Sequence, residues 1–488
     1  MKVVVIGSLV LSILHSILLY GQRPGISVFF FCIVCLFFIF YLLDKKGKLK
    51  NKNALWLCVP ILFLSITYGI WNNEILRVLN AFVMLGLTGY MILRLEQKDV
   101  TFVKTVSKIF SIFIGGIEYL GNALGAIKNV FIAEPNTKVG GKGKKIFKAI
   151  CITIPIVLFV LALLISADSI FAGMFSNIIL QLQNIFTEEV LFSLFFRIVV
   201  LLLLFLYLVT IFYNVLGEKT SYTEIDKKEY IPKWKLDSFT YHLIVTILNG
   251  IYLVFCGIQI VFLFTRMGST GGISYADYAR QGYFQLVIVS LINLMLIVLP
   301  KSMGVKEKKY TTVMKLLLVV FTVIILLSSF YRMYLYEQEY GLTFLRVAVF
   351  FAIATELLLM IPTTLYIMHK KVALFPSYVA IILVMYVLFN GINVDRMIAK
   401  TNIDLFFEKG EQTEDIDLSY LLYHTSIDSV KETERLLTSR NTEVREKVKD
   451  YFVQVEKELQ EENSIWEWNY NQKAVQKSLE TIGRNEEI

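Results

Sequence analysis

Charge is scarce in this sequence: Asp, Glu, Lys and Arg make up 18% of 488 residues, against about 25% in an average soluble domain. The shortage is concentrated, because apolar runs of membrane-spanning length recur along the chain, and a soluble core cannot hide so many of them. Histidine is rarer still. His15, His242, His369 and His424 show neither an H-E-x-x-H pattern nor paired spacing, which argues against a zinc site. No G-x-S-x-G turn is present. The segment NTKVGGKGKK at 136–145 lacks the Lys-Ser/Thr ending and the strand–helix setting of a phosphate loop, and reads as a flexible basic linker. The five cysteines, Cys32, Cys35, Cys58, Cys151 and Cys256, all lie inside apolar runs. Cys32 and Cys35 form a C-x-x-C, yet FFFCIVCLFFIF offers no histidine, glycine or charge to bind a metal or tune a thiol. They read as small apolar residues, and no disulfide framework is implied. These absences point away from an enzyme, from a metal or other cofactor, and leave only a carboxylate acting alone as a catalytic device.

What is present is apolar: 56% of residues are hydrophobic and 14% aromatic, with a mean hydropathy of +0.62. Eleven apolar segments fall near 3–20, 26–43, 55–71, 75–94, 148–167, 189–214, 239–263, 279–299, 312–330, 344–365 and 372–390. Most are near the length that crosses about 30 Å of hydrocarbon at 1.5 Å per residue. The ten-residue alternation of a barrel strand is absent. The expected fold is therefore all-α: a polytopic membrane protein of about eleven transmembrane helices with a small helical C-terminal tail. The first segment has one early lysine but no convincing cleavage site, and reads as a retained helix.

Loop charges test the count. The loops 44–54, 96–147, 216–237, 301–311 and 366–371 carry 24 Lys and Arg, and the alternating set carries only Arg23, Arg266 and Arg332. Eleven spans thus hold every basic loop on the cytoplasmic side, and both termini are expected outside. Residues 391–488 carry 13 Lys and Arg against 21 Asp and Glu, so the overall +8 conceals an acidic tail. The basic residues answer to anionic lipid and topology, not to nucleic acid. The organisation expected is a four-helix segment over 1–95, a cytoplasmic interfacial helix and basic linker over 96–147, a seven-helix core over 148–390, and an extracytoplasmic acidic tail over 391–488.

Two connections are expected to lie along the membrane. In the segment beginning at Thr101, Val103, Val106, Phe110 and Phe113 recur at helical spacing while Lys104 and Lys108 point elsewhere. FAGMFSNIILQLQNIF at 171–186 is its outer counterpart, with a re-entrant hairpin as the alternative. In the tail, Val444, Val448, Tyr451, Phe452, Val455 and Leu459 form one helical stripe. So few large apolar residues would be marginal alone, so the tail should dock on the bundle or a partner, helped by Trp466 and Trp468 at the bilayer surface.

Ionisable residues within spans are costly and point to function. Arg197 and Glu356 lie inside spans, and Gln259, Asp277, Arg280, Arg332 and Arg346 map to the outer loops or outer span ends. Together they outline an outward polar cleft for a small solute, an ion or a lipid headgroup. The plainer alternative is that Arg197 and Glu356 pair to fix helix packing while the others are boundary charges.

The segment with Tyr275, Tyr278, Ala279, Arg280, Gly282 and Phe284 resembles an uncharacterised bacterial membrane family, domain of unknown function 4173. So do ADSIFAGMF, the Asn249–Gln259 span, and RMYLYEQEYGLTFLR with Arg332, Tyr336, Tyr340, Gly341, Thr343 and Arg346. NVDRMIAKTNIDL with Asn393, Asp395 and Asn402, and DIDLSYLLYHTSIDSV with Asp417, Tyr420 and Asp428, fit as well. The resemblance covers roughly 150 to 440 and implies a multi-pass protein of the bacterial plasma membrane without an assigned activity. In YGLT, Gly341 should turn the chain and Thr343 should cap the next helix. Three function classes stay open: a binder or transporter working through the cleft, a sensor or scaffold that holds an envelope partner through its tail, and a transferase acting on a lipid-linked substrate.

Overall fold

The computed structural model describes residues 2–96, 102–114, 119–131, 188–216, 236–265, 283–301, 303–306, 308–369, 372–412, 416–460 and 465–486. Among them there is no strand, as the length and apolar character of the runs dictate. In chain order the helices are α1 (Lys2–Leu18), α2 (Ser27–Lys45), α3 (Cys58–Thr67, entered through a 3-10 turn), α4 (Glu74–Glu96), α5 (Phe102–Phe113) and α6 (Leu120–Phe131). Then come α7 (Glu188–Leu216), α8 (Ser238–Thr265), α9 (Tyr283–Val298), α10 (Lys309–Tyr340), α11 (Phe344–His369) and α12 (Leu374–Gly391). The tail holds α13 (Val394–Lys409), α14 (Leu418–Tyr423), α15 (Val430–Thr433), α16 (Thr442–Gln460) and α17 (Tyr470–Glu486).

Seven described helices are long and apolar enough to cross a membrane, and three shorter apolar ones accompany them. The protein is an all-α, polytopic membrane protein. Ten of the eleven expected segments coincide with described helices; the fifth, 148–167, lies outside the described residues, as do the stretch 171–186 and the linker 136–145.

The chain forms two compact units. Unit 1 comprises 1–23, 30–55 and 88–228. Here α1 runs antiparallel to α7, since Val5 packs with Phe205 and Val209 while Ser16 meets Arg197. The amphipathic helix expected after Thr101 is α5, and its faces are informative: Lys108 and Ile112 are buried, whereas Val106 and Phe110 are exposed. The exposed face of α5 thus carries Val106 and Phe110 beside Ser107.

Unit 2 comprises 24–29, 56–87 and 229–488. Its centre is a bundle of α8, α9, α10 and α11. The contacts from His242 with Thr311 to Gln259 with Ser328 show α8 and α10 parallel, and Asn293 with Thr322 and Val287 with Leu326 show α9 antiparallel to α10. The tail has its own core, in which Ala399, Phe406, Leu421 and Leu436 pack with the predicted stripe of α16 and with Val475 and Leu479 of α17. The stripe expected from sequence is buried throughout.

Gly341 makes the turn between α10 and α11 at φ 69°, a left-handed conformation that glycine adopts without penalty. A Cβ there would also strike the Asn402 side chain. The expected Thr343 cap is replaced by a cap from the tail: the Phe344 N–H donates to the Tyr420 hydroxyl at 2.8 Å. Sequence spacing could not show this, because the acceptor lies 76 residues away.

Candidate functional site

A transmembrane helix made of Leu, Val and Ile alone needs no partner for its side chains; one that buries hydroxyls, amides and charges must satisfy them inside the protein. In α10 the buried polar positions are Thr311, Lys315, Thr322, Ser328, Ser329 and Arg332. Thr311 to Arg332 spans about 31 Å of helix, the thickness of the hydrocarbon layer. Neighbouring helices supply partners level by level. At the α10 start, His242 Nε2 meets Thr311 Oγ1 at 2.7 Å. Next, the Asn249 amide donates to the Met314 carbonyl at 3.1 Å. At mid-helix the Tyr252 hydroxyl donates to Asn293 Oδ1 at 2.9 Å, and Asn293 Nδ2 donates to Thr322 Oγ1 at 3.1 Å. One turn away on α9, Ser290 donates to the Glu356 carboxyl. At the far end Gln259 Oε1 accepts from Ser328 at 2.8 Å and from Arg332 Nη2 at 3.0 Å. The outcome is a polar file running the length of the bundle, with cationic side chains buried toward both ends and one carboxyl between them. Among the described residues Glu356 has no ion pair; its partner is a neutral hydroxyl.

The expected cleft residues divide accordingly. Gln259 and Arg332 are bonded directly, and Glu356 joins the same four-helix bundle through Ser290. Arg346 sits by the α10–α11 turn, 4.3 Å over the Tyr336 ring and donating to the Tyr340 carbonyl at 2.9 Å. Arg197 belongs to unit 1, where its Nε donates to Ser16 Oγ at 2.9 Å and its guanidinium lies over Tyr20. Arg197 and Glu356 thus each bond a serine of their own unit. Asp277 and Arg280 lie outside the described residues. Sequence reasoning overlooked Ser290, Thr322, Ser328 and Lys315. The signal was there in the spacing of Lys315, Thr322 and Ser329, seven residues apart, which puts them on one stripe of a long helix.

A second polar cluster lies within unit 2, where the tail meets the α3–α4 turn. The α3–α4 turn presents Asn72 and Asn73. Asn73 Nδ2 donates to both Asp395 oxygens at 2.9 and 3.0 Å. The Asn72 backbone and amide donate to Asp428 at 2.6 and 2.8 Å, and Asn72 also donates to Asn469 at 2.9 Å. The Ser426 N–H completes Asp395 at 3.1 Å, and Asn471 adds a bond to Asp428 at 3.1 Å. Both aspartates are almost fully buried. Burial, reinforced by the nearby Asp395, raises the Asp428 carboxyl above its ordinary value despite the hydrogen bonds from Asn72 and Asn471, which favour the charged form. Around this clasp, Asn402 bonds the backbone of Leu342 in both directions at 2.6 and 2.9 Å, and Lys409 donates to the Glu339 carbonyl at 2.8 Å.

Residues 58–436 match the family model described as Domain of unknown function (DUF4153). The chain belongs to this family. The DUF4153 match corrects the resemblance to domain 4173 while keeping its substance, an uncharacterised domain covering most of the chain. No curated protein and no solved structure matches. The DUF4153 region contains the whole polar file and the clasp residues through Asp428, and it ends before α16. Most of the residues that carried the tail's resemblance have a structural task here: Asn393 and Asp417 cap α13 and α14, while Asp395, Asn402, Tyr420 and Asp428 fasten the tail to helix ends.

Among the described residues no group of His, Cys, Asp and Glu could hold a metal ion.

Proposed function

We propose that this protein binds or moves a small ion or polar solute along the buried file of unit 2, with Glu356 as the carboxyl that meets it. The observation that carries the reading is the recurrence of buried polar side chains on α10 from Thr311 to Arg332, across a distance where lipid-facing helices need none. A lipid headgroup at the Arg346 end is the variant for an amphiphilic solute. A second reading has its own support: a tail fastened by two buried carboxylates is suited to an accessory protein that holds or reports on an envelope partner. A lipid-linked transferase has no comparable support.

The proposed setting is the bacterial plasma membrane, with eleven crossings and the tail outside. Eleven is odd, so the two chain ends fall on opposite sides. The expectation of two outside termini gives way to an outside C-terminus and a cytoplasmic N-terminus. The tail's bond to Ile26 agrees, because α1 ends only a short loop before it.

Single cysteines at Ser290 or Thr322, in a cysteine-free background reconstituted in liposomes, test the path against cysteines at Leu253 and Val254 on the exposed face of α8. A small charged thiosulfonate should modify the file positions at least about tenfold faster, because only a hydrated path carries the reagent and supports the thiolate. Equal inertness at all four would mean a dry file and remove the transport reading, leaving the accessory reading in place.

A further inference from the structure

We propose that residues Ile465–Tyr470 form a lipid-inserted anchor that keeps the clasp between tail and bundle closed. Four of these six residues are large and exposed: Ile465 is 86% exposed, Trp466 38%, Trp468 43% and Tyr470 60%. An acidic, water-facing tail gains nothing from such a cluster, since exposed apolar groups in water are a liability unless something covers them.

The backbone says what covers them. The Ile26 N–H donates to the Trp468 carbonyl at 3.1 Å, and the Tyr470 N–H donates to the Gly69 carbonyl at 2.8 Å. Gly25 allows the approach, since a Cβ there would lie 2.7 Å from the Glu467 carbonyl oxygen. Ile26 immediately precedes α2, and Gly69 follows α3 by two residues. Of the two, α2 is long and apolar enough to cross a membrane, and the end of such a helix lies at the boundary of hydrocarbon and headgroups, where Trp and Tyr are favoured. The segment is therefore stapled at that depth, and the occupant of its exposed face is the bilayer, with Ile465 at the tip and the two indoles at headgroup level.

The same loop reaches the clasp. Asn469, between Trp468 and Tyr470, is almost fully buried. It donates to the Tyr68 carbonyl at 3.0 Å and accepts from Asn72, whose backbone and amide hold Asp428. Lifting the anchor out of lipid pulls on Asn469, and through it on the Asn72–Asp428 contact. Attachment of the tail is thus coupled to the membrane surface.

The test uses the full chain in phosphatidylcholine vesicles with Trp56, Trp71 and Trp234 changed to Phe, so that emission comes from Trp466 and Trp468. Acyl-brominated lipid should quench most of that emission and aqueous iodide little of it. Quenching by iodide alone, or by neither quencher, would overturn the proposal, the latter outcome indicating a covering protein. Should the triple variant fail to fold, a spin label at position 465 in the cysteine-free protein gives the same comparison, with oxygen expected to relax it more than a water-soluble nickel chelate. The coupling is read by hydrogen exchange: Ile465→Asp with Trp466→Ser should speed exchange of the Asn72 and Ser426 amides about tenfold in vesicles and leave amides of α9 to α11 unchanged. Unchanged Asn72 exchange would reduce the segment to an anchor without control of the clasp and so refute the coupling.

Discussion

Val254 on α8 and Val453 on α16 are the same residue with nearly the same exposure, 64% and 68%, yet they sit on opposite kinds of helix. Around Val254 the exposed face continues as Leu253, Ile258 and Ile251, and the buried positions include the amides Asn249 and Gln259 beside Cys256. Around Val453 the buried positions are Val448, Phe452 and Val455, and the outer face carries Glu443 and Lys447 as an ion pair at 2.7 Å. Both helices obey one rule, that each group faces the medium that solvates it, and they differ only in which medium lies outside. Exposure alone is therefore silent about environment. The identity of what is buried decides it.

Replacing each valine with aspartate should separate the two media, and this is the largest effect expected. At the middle of a helix in hydrocarbon the charge costs about 2.5–3.5 kcal/mol on insertion scales, so Val254→Asp should sharply lower the yield of inserted, folded protein. Val453→Asp should change tail stability by no more than about 0.5 kcal/mol, as water-facing substitutions do. Similar outcomes for both, measured as membrane-integrated yield and as tail unfolding, would end the comparison.

The next effect sharpens it inside the bundle. Ser290→Ala removes the hydroxyl that meets Glu356 and should destabilise the bundle by about 1–3 kcal/mol, the cost of leaving a buried polar group without its bond. Glu356→Gln keeps an acceptor for Ser290 and loses the charge, so it should be neutral or stabilising in thermal denaturation. If Gln is the more damaging of the two, the carboxylate is required for packing, and its place in a solute path loses support.

The architecture was legible because its cause is local: an uncharged run of about twenty residues admits few other readings. The stripe from Val444 to Leu459 was legible for the same reason, as periodicity within one helix. The candidate site was legible only in part. Gln259 and Glu356 stood out as polar residues in apolar spans and Arg332 as a loop charge, but which of them meet depends on how four helices turn toward one another. That information is carried by contacts 66 to 73 residues apart in sequence. The clasp was hidden further, because Asn72 and Asn73 look like an ordinary turn and their partners lie more than 300 residues downstream. Arg197 misled for a similar reason: depth in a span does not specify the neighbouring helix, and Ser16 was an unremarked residue of α1.

The smallest effect concerns the clasp and pH. Asp428 is held mainly by burial above its ordinary carboxylate value, with Asp395 adding to the shift and the Asn72 and Asn471 bonds opposing it. The charged groups nearby are Asp395 itself, Arg77, which donates to Asn72 Oδ1 at 3.0 Å, and the Arg396–Glu432 pair at 2.8 Å. A carboxyl whose value is higher in the closed state binds its proton more tightly there than when the tail is open. Closing is then favoured most below the ordinary carboxylate value, and that contribution is lost as pH rises through the raised value. Hydrogen exchange at the Ser426 and Asn72 amides, corrected for the intrinsic rate, should therefore show more frequent opening at neutral pH than below the ordinary carboxylate value. Asp428→Asn should flatten the dependence, since position 428 no longer titrates, while leaving the Asp395 contact with Asn73 in place. An opposite slope would mean that the amide donors outweigh burial and stabilise the carboxylate. The clasp would then be an anion-binding turn that loosens in acid, and the contrast between a dry tail junction and a water-facing tail surface would have to be redrawn.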